Sequence, residues 1–271
     1  DSTILVVSQS GETTDTLAAL EHARQRAATI LGLTNVIGST LTRLSRVYVC
    51  QQSGPEIGVA ATKTFTSQLS VLAQLALRLA KSRGKVSHTE IEFLEDKLEQ
   101  IPDIAENILK TQGERIRQLA QKYKDRQCFF FLGRGISSAT ALEGRLKLME
   151  IAYVPAIAYP AGESKHGPIS LIEPGFPVFF ICPKDETHRT IIGNIMEMKA
   201  RGASVIAVIE EGDEDLKILA DDCIEIRKGV PEILSPILYV IPLQLFAYYT
   251  ALEKGQDPDM PRNLAKSVTV K

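Results

Sequence analysis

At 271 residues the chain has room for two domains of ordinary size, each with its own core. Its 31 basic and 33 acidic side chains nearly cancel, which argues against nucleic acid or an anionic membrane as the main partner. The four cysteines, Cys50, Cys128, Cys182 and Cys223, include no Cys-x-x-Cys pair, which speaks against a zinc site or redox motif and for buried thiols in a reducing cytoplasm. No signal-peptide pattern appears. The longest apolar stretch, residues 233–252, is interrupted by Ser235, Pro236, Pro242 and Gln244 and falls short of a membrane span. Asp1 stands directly ahead of an apolar strand, so the chain reads as a piece cut from a longer protein.

The predicted elements alternate. Residues 3–7 read as a strand, 15–28 as a helix and 29–34 as a strand. A short helix near 39–44, a strand at 46–50 and a long helix at 62–81 follow. That helix carries Phe65, Leu69, Leu72, Leu75, Ala76 and Leu79 on one stripe. Residues 87–124 read as a helical connector interrupted at Pro102. Strands at 128–132, 177–182, 203–209 and 223–227 then alternate with helices at 137–151, 186–201 and 213–220. Residues 232–252 close the series, mostly as helix. Continuous apolar strands alternating with helices imply an α/β fold, with a parallel sheet covered on both faces.

Residues 8–16, Ser-Gln-Ser-Gly-Glu-Thr-Thr-Asp-Thr, join the first strand to the first helix. Backbone N–H groups and the positive end of a helix dipole meet in such a turn, which suits an anion. Hydroxyl donors suit a phosphate monoester, and Gly11 lets the backbone come close. The plainer reading is a helix cap at Thr14 or Asp15.

The two halves look duplicated. Residues 6–13 line up with 180–187, and Gly54-Pro55-Glu56-Ile57 with Val230-Pro231-Glu232-Ile233. In the second copy Pro183-Lys184-Asp185 replaces the hydroxyls, so only the first keeps a phosphate-type loop. The strand and helix over 128–151 have no counterpart ahead of Asp1. The first domain is therefore expected to lack its opening strand and helix.

Other stretches carry candidate chemistry. Gly133-Arg134-Gly135 is half of a dinucleotide fingerprint without its last glycine, and no phosphate-loop motif of the nucleotide triphosphatases occurs. Glu143, Lys147 and Glu150 fall at i, i+4 and i+7, hence on one helix face. That face is either a solvated run of ion pairs or a carboxylate and amine set for proton transfer at the ligand-binding edge of a sheet. Leu142, Leu146 and Met149 are expected to form the core stripe beside it. His166 lies in the polar loop 161–168, and its near-neutral titration range makes it the best acid–base candidate. His22, His88 and His188 read as surface residues. Residues 56–64 form a turn into the long helix, a place for a ligand against small side chains or simply a cap at Thr62. The last fifteen residues lack helical period, yet Leu264, Ala265, Val268 and Val270 are apolar. Lys266 among them would be partly desolvated, which favours imine chemistry.

Six stretches, 8–13, 56–60, 132–135, 141–150, 162–168 and 261–270, closely resemble the glucosamine-6-phosphate synthase family. The resemblance covers essentially the whole chain and is most specific at Pro-Arg-Asn-Leu-Ala-Lys-Ser-Val-Thr-Val. It implies two SIS domains, each a flavodoxin-like parallel sheet flanked by helices. Residues 1–86 would be the first, in part; 87–120 a connector; 121–256 the second; and 257–271 an active-site tail. It implies that Ser8, Gln9, Ser10 and Thr13 hold the phosphate of fructose 6-phosphate and that Val59 meets the sugar through its backbone. His166, from the partner subunit of a homodimer, would assist ring opening. Lys266 would form an imine at C2, to be displaced by ammonia from a glutaminase domain absent here. Glu150 would move a proton between C1 and C2, oriented by Glu143 and Lys147, and glucosamine 6-phosphate would result. No metal or organic cofactor is needed. The chain departs from the family at Ala61, where a serine is usual, and lacks the family's Cys-Gly-Thr-Ser loop. A SIS-type phosphosugar isomerase or deglycase, or a non-catalytic sugar-phosphate sensor, are the competing readings.

Overall fold

The computed structural model describes residues 2–26 and 28–266. Position 27 and the end of the tail, with Val268 and Val270, lie outside the described residues. The chain packs as two compact units, Asp1–Leu72 with Arg262–Lys271 and Ala73–Pro261.

The first unit is built on three parallel strands in the order β1 (Thr3–Ser8), β2 (Thr29–Thr34) and β3 (Val47–Cys50). Helices α1 (Thr14–Arg24) and α2 (Thr40–Leu44) make the crossovers. Val6, Leu20, Ile30 and Leu41 form its core, with Leu17, Ala23, Ala28 and Leu44 against them. Ile4, Leu5 and Val7 of β1 are exposed. The long helix α3 (Lys63–Ser82) begins in this unit, and the division between units falls within it.

The second unit opens its independent elements with α4 (His88–Glu99) and α5 (Ile101–Tyr123). Pro102 does not interrupt a helix; it stands in the first turn of α5, where its missing N–H costs no bond. Five parallel strands follow in the spatial order β5-β4-β6-β7-β8, with β4 at Phe129–Gly133, β5 at Ala156–Pro160, β6 at Pro177–Cys182, β7 at Ser204–Glu210 and β8 at Asp222–Ile226. Helices α6 (Ser137–Ala152), α7 (His188–Lys199), α8 (Glu214–Leu219) and α9 (Ser235–Glu253) complete it. The order β6-β7-β8 repeats β1-β2-β3, in line with the duplication read from the sequence.

Strand β4 is buried throughout, and its pleat sorts three consecutive phenylalanines. Phe129 and Phe131 meet Phe179, and Phe129 and Phe179 also meet Phe246 of α9. Phe130 points the other way, onto Tyr159 and Phe176. Helix α9 packs on α5 and α6. A Cβ on Gly144 would lie 2.5 Å from Leu243 of α9, so glycine there sets how closely the helices approach.

Three expectations are corrected. Strand β5 was not expected; it is an edge strand ending in Pro160, where a missing N–H is harmless. The portion of the second unit without a counterpart among the described residues of the first is therefore β4, α6 and β5, one strand more than expected. The apolar stretch near residues 233–252 was expected to fall short of a membrane span. Residues 232–253 form one helix long and apolar enough to cross a membrane, yet it is mostly buried, as a core helix is. Finally, Leu142, Leu146 and Met149 are not the core stripe of α6. They are 45, 36 and 41% exposed, while Thr140, Ala141, Gly144, Lys147, Leu148 and Ile151 face inward.

Candidate active site

The loop between β1 and α1 is braced from several sides. Gly11 holds φ +67°, and a Cβ there would lie 2.3 Å from Ser39 Oγ, so only glycine fits. The Gly11 N–H donates to Ser8 Oγ at 3.1 Å and the Glu12 N–H to Ser10 Oγ at 3.2 Å. Each serine oxygen is thereby an acceptor whose own proton is available for another oxygen. Gln9 accepts at its carbonyl from Thr34 Oγ1 and from the Asn35 N–H. Thr13 is the N-cap of α1, and its hydroxyl makes no capping bond. The cap thus falls one residue ahead of Thr14 and two ahead of Asp15. Glu12 reaches to the start of α2 and accepts from the Thr40 N–H at 2.7 Å. That bond and the Thr40 hydroxyl hold the Glu12 carboxyl below the usual glutamate range. Hydroxyls arrayed at a helix start can accept an anion.

Irregular chain follows β3 and carries Val59 and Ala61, both half-buried, into α3. Glu56 lies in it with a side chain only 5% exposed. Its carboxylate accepts from the N–H groups of Thr62 at 3.0 Å and Thr64 at 3.3 Å, and from the Thr64 hydroxyl at 2.6 Å. Lys266, near the other end of the chain, returns to this unit and places Nζ 2.5 Å from Glu56 Oε2. Burial works to raise the Glu56 carboxyl, but Lys266 and the Thr62 and Thr64 donors outweigh it and hold it low. The apolar shelter expected around Lys266 is not what holds its amine. Leu264 and Ala265 are exposed, and the amine, 25% exposed, lies on a carboxylate.

In the second unit Glu143, Lys147 and Glu150 do share a face of α6, and it is the inward one. Lys147 Nζ lies 3.2 Å from Glu143 Oε1 and 2.6 Å from Glu150 Oε2, with side chains 3, 12 and 22% exposed respectively. A solvated run of ion pairs is thus ruled out. Burial pushes the Glu143 carboxyl up, against the pull of Lys147, and Glu150 adds to the rise. A cation clamped between two carboxylates fixes all three side chains. Glu150 is the more open of the two carboxylates.

His166 ends a 3-10 turn, Ala161–His166, and is exposed. The turn is pinned just ahead of it. Lys165 pairs with Glu197 of α7 at 2.8 Å, and Ser164 donates to the Ala161 carbonyl. Arg134 donates to Asn194 at 3.0 Å and lies against Gly162, so the Gly-Arg-Gly turn serves to position this loop.

Sequence reasoning missed several supports. Thr34, Asn35 and Ser39 brace the hydroxyl loop, and Asn35 also bonds Gly54 and Ser53 of the next loop. Their only sequence signal is that they end or follow the next strand in the repeat. His188 is no surface residue. It lies 2.6 Å from buried Asp213, which itself caps α8 at the Leu216 N–H.

Comparison with known proteins agrees with this architecture. The SIS domain family matches residues 1–78 and 122–254. The chain is 49% identical over 267 residues to a glutamine–fructose-6-phosphate aminotransferase (isomerizing) of Thermococcus kodakarensis, covering 98% of this chain and 44% of that protein. It is 46% identical over its whole length to the protein of that name from Chlorobaculum tepidum, again over 44% of it. The chain thus spans under half the length of these relatives. Among solved structures, the C-terminal domain of glucosamine-fructose-6-phosphate aminotransferase from Francisella tularensis superposes with a TM-score of 0.91 at 35% identity, over 96% of this chain and 73% of that one. The chain belongs to the SIS domain family and, within it, to the C-terminal part of the glutamine–fructose-6-phosphate aminotransferases.

Proposed function

We propose that this chain converts fructose 6-phosphate and ammonia into glucosamine 6-phosphate. Ser8, Gln9, Ser10 and Thr13 take the phosphate, and Val59 and Ala61 line the sugar through their backbone. His166 of the partner subunit in a homodimer helps to open the ring. Its exposure and the absence of a side-chain hydrogen bond from it to the described residues support that role. The Lys266 amine attacks the C2 carbonyl and loses water to form an imine, which ammonia displaces to leave the C2 imine of the sugar. Glu150 removes a proton from C1 to give the enamine and returns it to C2. The C1 hydroxyl then releases its proton to give the aldehyde of glucosamine 6-phosphate. Glu143 and Lys147 hold Glu150 in place. Ammonia is supplied by a glutaminase domain elsewhere in the same polypeptide.

The observation that carries this reading is the return of Lys266 to the unit that bears the hydroxyl loop. A plain ketose–aldose isomerase has no use for an amine there. In the full-length protein, fructose 6-phosphate and borohydride should together add the mass of a reduced hexose phosphate to Lys266. Lys266→Ala should lower glucosamine 6-phosphate formation at least a thousand-fold. Undiminished turnover of that variant would overturn the imine role.

A further inference from the structure

Glu56 makes more bonds than a helix cap requires. The N–H groups of Thr62 and Thr64 and the Thr64 hydroxyl already satisfy a carboxylate at the start of α3. The carboxylate nevertheless receives the amine of a residue 210 positions away, at 2.5 Å. A lysine side chain has several rotatable bonds and about 2 kcal/mol of rotamer entropy to lose when fixed. Here the fixing point is itself immobile. The carboxylate is almost fully buried and held by backbone donors of a helix start. The contact also ties residues 262–266, which form neither helix nor strand, to the loop that bears Val59 and Ala61.

We infer that Glu56 is the positioning residue for Lys266. It holds the amine at one place at the entrance to α3, so that the order needed for attack is supplied before substrate arrives. This rests on the reading of Lys266 as the imine-forming residue. Nothing in the role of Glu56 requires it to touch the sugar. Its helix-capping bonds are the means by which it stays rigid.

Glu56→Gln separates the two roles. The amide oxygen can still accept from the Thr62 and Thr64 N–H groups, whereas the ionic hold on Lys266 is lost. In the full-length protein, E56Q should lower kcat at least ten-fold while KM for fructose 6-phosphate stays within two-fold. Acetylation of Lys266 by a water-soluble acetyl ester, followed by mass spectrometry, should become several-fold faster. Glu56→Asp should restore part of both. Wild-type kcat and a wild-type acetylation rate in a folded E56Q would make Glu56 a cap only and overturn the inference. Acetylation needs no turnover, so it stands apart from the imine itself. If borohydride traps nothing on wild-type Lys266, the functional reading fails whatever the acetylation shows. If E56Q does not fold, the wild-type protein still decides. Lys266 should acetylate several-fold more slowly than the exposed Lys184 and Lys228, and an equal rate would overturn the inference.

Discussion

Lys147 illustrates how one residue joins fold and chemistry. Its ammonium is nearly inaccessible and has two carboxylates for company. Removing one partner of a buried charge set costs more than the set contributes, because the survivors remain desolvated. Lys147→Met keeps the volume and removes the charge. It should destabilise the protein by about 3 kcal/mol near neutral pH, and proton exchange at C1 should stop. Glu143, already pushed up by burial, would rise further without its cation. A carboxyl raised on folding favours the fold as pH falls. The loss measured by chemical denaturation should therefore shrink between pH 8 and pH 5. An unchanged difference would mean that Glu143 does not feel Lys147. The spacing i, i+4, i+7 was legible in the sequence. The side of the helix it faces was not, because Leu142, Leu146 and Met149 are more apolar than the Thr140, Ala141 and Gly144 that pack inward.

At the scale of elements, Asp222 of β8 fastens α5 to the edge of the five-stranded sheet. It accepts from Arg115 at 2.8 Å, Lys122 at 2.6 Å and Tyr123 at 3.0 Å, all on α5, and its own side chain is buried. Burial and the nearby Asp222 charge both push the Tyr123 phenol up. Arg115 and Lys122 are well exposed, so either can turn to water if the aspartate is lost, and each single pair is worth at most about 1 kcal/mol. The buried aspartate has no such escape. Asp222→Asn should cost about 2 kcal/mol, chiefly from unmatched hydrogen bonds, while Arg115→Ala and Lys122→Ala should each stay within about 1 kcal/mol. Urea unfolding of the three variants checks the ranking. Equal losses would show that the exposed cations, not the buried anion, hold α5.

For the whole molecule, several carboxyls set the response to acid. Glu12 and Glu197 are held below the ordinary 4.5, chiefly by the Thr40 N–H and by Lys165 respectively. Glu56 is held low against burial, as described. Asp221 lies below 3.8 because Lys199 and the Val205 N–H outweigh its burial. A carboxyl lowered on folding contributes stability that is complete above its unfolded value and vanishes as pH falls through its folded one. Glu143 and Glu232, both raised first by burial, act in the opposite sense. Among the described residues, four lowered carboxyls against two raised ones give a melting temperature nearly flat from pH 7 to about 5 and falling below about 4.5. Scanning calorimetry across that range tests it, and a melting temperature rising on acidification would reverse the assignment.

Local pattern was enough for the alternation of strands and helices, for the duplication, for the hydroxyl-rich loop and for the carboxylate–lysine spacing on α6. Each is written in near neighbours, through a period of two or 3.6 residues or a cluster of like side chains. Strand β5 escaped notice because an edge strand of five residues ending in proline carries little of that pattern. The inward turn of Lys147, the bracing of Gly11 by Ser39 and the Asp213 partner of His188 were decided only by packing. So was the meeting of Glu56 with Lys266. These join residues dozens to hundreds of positions apart, or depend on which face a neighbouring helix covers, and no local period encodes either.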